Sequence, residues 1–350
     1  MNSNDSSYLD SATDMTDEDT IRVGLNGFGR IGRNVFRAVM DDPRIDLVGI
    51  NDVMDFEDLA YLAKYDTVMG RLDGVELEDD HLTIEGTSVP LYNEQSPDEL
   101  PWDDLDVDVA LECTGIFRTK EDASEHLKGG ADKVVISAPP KGDKPVKQLV
   151  YGVNHEEYDG EDVVSNASCT TNSVTPVAKV LDENFGINSG LLTTVHAYTG
   201  SQSLIDGPQG KTRRGRAAAE NIVPTSTGAA QAATEILPQL DGKLDGMAIR
   251  VPVPNGSITE LVVDLEGNPS AEEINEAFRE AADNELAGVL GYTDDEVVSS
   301  DILGWPFSST VDLNSTNVVN DGEMAKILTW YDNEYGFANR MLDMAAYITA

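Results

Sequence analysis

One octet, Ser165-Asn166-Ala167-Ser168-Cys169-Thr170-Thr171-Asn172, sets one of the chain's two cysteines where a thiol can react. The β-branched run Val163-Val164-Ser165 predicts the end of a strand before it. Val174, Val177, Ala178 and Leu181 then recur at helical spacing as far as Phe185, and Gly186 is a stop. Ser168 is a good N-cap. Cys169 therefore falls in the first helical turn, where unpaired N–H groups and the positive dipole end favour thiolate over thiol. The chemistry is that of a nucleophile; from the octet alone, a buried cysteine acting as a small hydrophobe is the alternative.

A base for that thiol stands further along. Leu191 to Tyr198 predicts a strand with Thr194, His196 and Tyr198 on one face. His196 follows Cys169 by 27 residues (196 − 169), about one helix, one turn and one strand, so the chain can bring the two side chains together. A hydrogen-bonded core or surface histidine is the alternative. The segment from Thr199 to Ala219 predicts a long loop that carries Lys211, Arg213, Arg214 and Arg216, four cations in a chain of formal net charge -40. Such a cluster suits an anionic ligand, or salt bridges to the acids of another subunit.

These groups need a frame. Ile21, Val23 and Leu25 alternate with Arg22 and Gly24 as a strand that runs into Asn26-Gly27-Phe28-Gly29-Arg30-Ile31-Gly32 and then a helix to Met40. A strand, G-x-G-x-x-G and a helix suit a pyrophosphate at the helix N-terminus. A second strand, Leu47 to Ile50, ends at Asn51-Asp52, and Asp52 lies 20 residues beyond Gly32 (52 − 32). That spacing suits a carboxylate on an adenosine ribose, with a turn or cap residue as the alternative. A helix over Leu59–Lys64, short edge strands from Val75 to Leu91, a strand Val107–Glu112 into Cys113-Thr114-Gly115, a helix over Lys120–Leu127 and a strand at Val134–Ile136 follow. Strands separated by helices predict a doubly wound parallel sheet, with Cys113 structural. After the basic loop come a turn at Thr225–Gly228, an Ala-rich helix to Leu237, strands at Met247–Val251 and Ile258–Val263, a helix over Ala271–Leu286, a strand at Met324–Trp330 and a terminal helix striped by Phe337, Met341, Ala345 and Ile348. Strands in succession predict a second, α+β domain with a mostly antiparallel sheet.

Composition narrows the function. Three hundred and fifty residues with 40% apolar content suit two cores, and two cysteines with no close framework suit a reducing compartment. No stretch approaches 18 apolar residues, so a soluble, cytoplasmic protein without a membrane partner is expected. Sixty-four acidic against 24 basic residues exclude general nucleic-acid binding and indicate a salt-rich cytoplasm. The melting temperature should rise between low and molar KCl, and a flat melting curve would contradict salt adaptation. Residues 1–20, acidic and with little to bury, are expected to be a disordered tail.

Taken together, Asn26-Gly-Phe-Gly-Arg-Ile-Gly-Arg33, Lys64-Tyr-Asp66, the octet, Thr193-Thr-Val-His196, Arg216-Ala-Ala-Ala-Glu220, Arg250-Val-Pro252 and Trp330-Tyr-Asp-Asn-Glu334 closely resemble phosphorylating glyceraldehyde-3-phosphate dehydrogenases, in order from about Ile21 to Ala350. The acidity resembles a salt-adapted member. The resemblance implies an NAD-binding domain of 21–168 plus 332–350, onto which the terminal helix packs back, and a catalytic domain of 169–331. It implies Cys169 as nucleophile and His196 as base, the substrate phosphate at Thr199 and Arg250, and inorganic phosphate at Ser168, Thr170, Arg214, Thr227 and Gly228. NAD is implied at Gly27, Phe28, Gly29, Arg30, Ile31, Gly32, Asp52, Thr114 and Asn333. A homotetramer is implied too. Ser173, Met69, Ser201 and Gly207 depart from the usual pattern: Ser201 stands where a substrate-site Asp is common, and Gly207 leaves dual use of NADP open beside Asp52. An erythrose-4-phosphate dehydrogenase and a non-catalytic NAD-binding redox sensor are the other functions to weigh.

Overall fold

The computed structural model describes residues 20–84 and 86–350, so the expected acidic tail, apart from Thr20, lies outside the described residues. The chain divides into two compact units, one holding the residues up to Lys147 with Tyr158–Asn166 and Met341–Ala350, the other Gln148–Glu157 and Ala167–Arg340.

In the first unit the strands Val163–Ser165, Lys133–Ile136, Val109–Glu112, Ile21–Asn26, Ile45–Asn51 and Thr87–Tyr92 lie side by side in that order and pair in parallel. Their apolar residues are buried on both faces, as the near-continuous Val/Ile/Leu runs require of a sheet covered by helices. His81–Ile84 and Glu76–Glu78 extend the edge antiparallel to Thr87–Tyr92, where weak alternation predicted short strands. The helices Arg30–Val39 and Phe56–Lys64 follow the first two of the chain's strands. The helix expected over Lys120–Leu127 is instead two single turns, Lys120–Ala123 and Glu125–Lys128, divided at Ser124, whose hydroxyl donates to Lys120 O at 2.6 Å.

The second unit is built on a sheet with strand order Val223–Ser226, Leu244–Val251, Ile187–Ala197, Ser257–Leu265, Met324–Tyr331, Ser309–Asp312, Leu290–Thr293. Ile187–Ala197 with Leu244–Val251 and Leu290–Thr293 with Ser309–Asp312 are parallel, and the other pairs antiparallel. Residues 225–226, expected in a turn, complete the edge strand against Met247 and Ala248. The Cys169–Phe185 helix turns Val174, Val177, Ala178 and Leu181 onto Leu192, Leu261, Val263 and Ile327 of the sheet and onto Ile274 and Phe278 of the helix Ala271–Asp283. Each such Val or Leu side chain contributes about 1.5–3 kcal/mol by leaving water, which fixes the helix that carries the cysteine.

Candidate active site

The cysteine is held from its N-terminal side. Ser168 caps the helix, its Oγ accepting from Thr171 N at 3.0 Å. Ala167, buried, takes φ 56°, a left-handed conformation that costs a β-carbon-bearing residue energy and lets the chain turn sharply into the helix. By first-turn geometry the N–H groups of Cys169 and Thr170 have no intrahelical acceptor. Both bond the Cys169 sulfur instead and favour its anion.

The strand Ile187–Ala197 brings the imidazole in, with His196 Nε2 at 3.5 Å from Cys169 Sγ. Nδ1 lies 2.7 Å from Ala197 O, which can only accept, so the proton sits on Nδ1 and the Nε2 lone pair faces the sulfur. Burial, with Arg250 and Arg214 adding to it and Ala197 O opposing, lowers the His196 pKa to about 3. The ring thus keeps its lone pair across the neutral range. For Cys169 the outcome differs from the simple helix-dipole expectation: burial pushes the thiol up, while the Arg250 charge and hydrogen bonds from Thr170 pull it back. The resting pair is thiol and neutral imidazole, poised for proton transfer.

Parallel register sets Arg250 beside His196. Its Nη1 donates to Ala197 O at 2.9 Å and to Thr199 Oγ1 at 3.2 Å, while its Nε is buried without a partner. A buried guanidinium donor left unpaired marks a place for an anion. From Thr199 the line continues to Ser201 Oγ at 2.9 Å and on to Arg214 Nη1 at 3.2 Å, and Arg214 Nε donates to Thr225 Oγ1 at 3.1 Å. Burial lowers the pKa of both arginines, and Arg214 lowers that of Arg250 further. Like charges crowded in this way are relieved by an anion. Thr227 Oγ1 accepts from Ala229 N at 3.1 Å, and Gly228 is the N-cap of the helix Ala229–Ile236. The Thr170 hydroxyl, which also bonds the Cys169 sulfur, lies 3.1 Å from Tyr331 OH.

Three neighbours escaped the sequence reading: Ser201 as a bridge, Thr225, and Tyr331. The Tyr331 hydroxyl joins Thr170 Oγ1 to Thr194 Oγ1, the latter at 2.8 Å, and its ring meets that of His196 edge-on at 5.9 Å. Burial pushes the Tyr331 pKa up to about 12. Tyr331 falls within the Trp330–Glu334 stretch that carries the resemblance, but nothing in that stretch singles it out.

In the first unit, Gly27 has φ 97°, and a β-carbon there would lie 2.5 Å from Thr114 N. One on Gly32 would lie 2.0 Å from Gly27 O, whereas Gly29, at the N-cap of its helix, faces open space. The glycines thus give the turn, the packing and the open approach that a dinucleotide pyrophosphate needs. Asp52 accepts from Phe28 N at 2.6 Å and from Met54 N at 3.1 Å, which aims it at this loop. Phe28 is fully buried, its carbonyl accepting from Arg33 Nη1 at 2.9 Å, and Ile31 is half-buried one turn on. Arg30 pairs with Asp66; burial works to raise that carboxyl, but Arg30 and the N–H groups of Met69 and Val68 outweigh it and hold it below its ordinary value. In the second unit Asn333, buried, accepts from Ser257 Oγ at 2.7 Å.

Residues 21–120 match the glyceraldehyde 3-phosphate dehydrogenase NAD binding domain and residues 168–333 the glyceraldehyde 3-phosphate dehydrogenase C-terminal domain. The chain is 72% identical over 331 residues to a glyceraldehyde-3-phosphate dehydrogenase of Haloarcula vallismortis, covering 94% of this chain and 98% of that protein. It is 53% identical to the enzyme of Streptomyces coelicolor and 50% identical to that of Geobacillus stearothermophilus, with the same shares covered.

Proposed function

The chain belongs to the glyceraldehyde 3-phosphate dehydrogenase family, and from that premise we propose the residues that carry its reaction. The protein is an NAD-dependent enzyme of glycolysis that oxidises D-glyceraldehyde 3-phosphate to 1,3-bisphosphoglycerate with inorganic phosphate. Cys169 adds to the aldehyde carbon as its proton passes to His196 Nε2. The oxyanion that forms then takes up a proton to give a thiohemiacetal. His196 next accepts the hydroxyl proton as the carbon is oxidised to a thioester. Bound NAD supplies the hydride acceptor for that oxidation. Inorganic phosphate attacks the thioester carbonyl, and Cys169 leaves as the acyl phosphate departs. The observation that carries this reading is the 3.5 Å approach of His196 Nε2 to Cys169 Sγ, with the half-buried Arg250 beside the pair and Arg214 joined to it through Ser201 and Thr199.

Thr199 and Arg250 take the substrate phosphate; Arg214, Thr227, Gly228, Ser168 and Thr170 take the attacking one. The unpaired Arg250 Nε and the N-capping position of Gly228 support this assignment. In the first unit Gly27, Phe28, Gly29, Arg30, Ile31, Gly32, Asp52 and Thr114 hold NAD. Cofactor binding belongs to the unit that holds 21–147, 158–166 and 341–350, and catalysis to the unit that holds 148–157 and 167–340. The working form is a homotetramer in the cytoplasm. Exposed Leu204, Ile205 and Ile222 near the basic loop suit burial against a second copy, and no helix among the described residues is long and apolar enough to cross a membrane.

Steady-state kinetics separate the two anion sites. Arg214→Leu should raise KM for inorganic phosphate roughly 10–100-fold, the loss of a charged hydrogen bond, with KM for the aldehyde within about twofold. Arg250→Leu should do the reverse. Equal effects of both variants on both constants would contradict two sites.

A further inference from the structure

One buried cluster in the first unit takes no part in the chemistry above. Glu112, at the C-terminal end of the strand Val109–Glu112, is fully buried, and every hydrogen bond it makes comes from a donor. Its Oε1 accepts from Thr114 N at 2.8 Å and from the Thr114 hydroxyl. Its Oε2 accepts from Asn26 Nδ2 at 2.6 Å and lies 3.1 Å from His126 Nε2.

Each of those donors is locked from behind. The Trp102 indole N–H, which can only donate, points at His126 Nδ1 at 3.0 Å. That nitrogen must offer its lone pair, so the ring proton is on Nε2 and faces Glu112. Asn51 is oriented by the Glu94 backbone, its Oδ1 accepting from Glu94 N at 2.8 Å and its Nδ2 donating to Glu94 O at 3.0 Å. The same Nδ2 donates to Asn26 Oδ1 at 2.7 Å, which leaves the Asn26 amide N–H facing Glu112. Both oxygens at position 112 must therefore accept. No amide orientation satisfies the site.

The residues tied together stand immediately before the loops assigned to the cofactor. Asn26 precedes Gly27, Asn51 precedes Asp52, and Glu112 comes two before Thr114. Asn26 is paired in register with Asn51 on one side and Glu112 on the other. Backbone bonds from Gly27 N to Asn51 O at 2.8 Å and from Cys113 N to Asn26 O at 2.7 Å run alongside. We infer that Glu112 is a positioning residue for NAD: through the Asn26, Asn51 and His126–Trp102 hydrogen bonds it holds the Gly27, Asp52 and Thr114 loops in the spacing that the dinucleotide requires. The inference rests on the assignment of those loops to the cofactor.

The test is a titration of folded enzyme with NAD in molar KCl, read as Kd, together with steady-state kinetics. Glu112→Gln sets an amide N–H against Thr114 N–H or against Asn26 and His126. It should weaken NAD roughly tenfold, with kcat at saturating NAD and KM for the aldehyde within about twofold. The exchange N26D/E112Q puts the acceptor at 26 and the amide at 112, satisfies Thr114 again, and should return Kd to within about threefold of the parent. A purely structural role would lower the melting temperature of E112Q and leave the Kd of its folded fraction unchanged, which overturns the inference. So does an exchange variant no better than E112Q. If E112Q does not fold, the same titration on Trp102→Phe, which unlocks His126, should show a weakening of about threefold, and an unchanged Kd overturns the inference. Asp52→Ala runs in parallel. NAD weakened by D52A and not by E112Q defeats the positioning role alone, whereas NAD unaffected by either variant defeats the cofactor assignment and the inference with it.

Discussion

Replacing Cys169 by Ser should abolish turnover, by roughly 10⁴-fold or more, while leaving NAD affinity within about twofold. The substitution exchanges one atom at the first helical position, so the Ser168 cap and the bond from Thr171 N at 3.0 Å remain. What goes is the nucleophile aimed by His196 and able to leave again as a stable anion when phosphate attacks. A serine ester would also resist that attack more than a thioester. The check is a matched pair of measurements, NADH production and NAD titration, on the same preparation. Activity within tenfold of the parent would remove Cys169 from the reaction.

His196→Asn should lower kcat roughly 10²–10⁴-fold, the range for loss of a general base, and slow alkylation of Cys169 by iodoacetamide at neutral pH. The reason is geometric and electrostatic. Nε2 stands 3.5 Å from Sγ with its lone pair directed there, because Nδ1 is bonded to Ala197 O and burial beside Arg250 holds the ring pKa at about 3. An asparagine fills part of the space but brings no basic nitrogen. The thiol, which burial pushes up, then loses the base that takes its proton. Alkylation and turnover as fast as in the parent would show that the imidazole is a neighbour and not a base.

What the sequence made legible was local. The Ser168 cap, the first-turn cysteine, the glycine loop and the spacing to Asp52 are statements about residues within a few turns of one another, and the structure sets each in its expected element. The 27-residue step from Cys169 to His196 was readable because only a helix, a turn and a strand intervene. Tyr331 was not readable as a site residue, since its bond to Thr170 depends on the register of a strand 161 positions away. The same holds for the Ser201 bridge between two arginines.

Among the elements, the strands Leu290–Thr293 and Ser309–Asp312 were missed because they are short and do not alternate. Ser309, Thr310 and Asp312 are polar yet buried, satisfied by partners such as the Thr329 hydroxyl on Ser309 and Trp330 Nε1, which donates to Asp312 at 3.1 Å. Thr225-Ser226 looked like a turn by composition, and cross-strand pairing with Ala248 and Met247 overrode that preference. The thiolate expected from the helix dipole met an opposing cost that no sequence displays, the burial of the sulfur.

The most direct measurement is a rapid-mixing experiment in molar KCl with enzyme, NAD and glyceraldehyde 3-phosphate, leaving out inorganic phosphate. The account predicts a burst of one NADH per Cys169, then a stall with the acyl group on sulfur, and full turnover on addition of phosphate. Turnover at the same rate without phosphate, or no burst at all, would contradict a thioester held on Cys169.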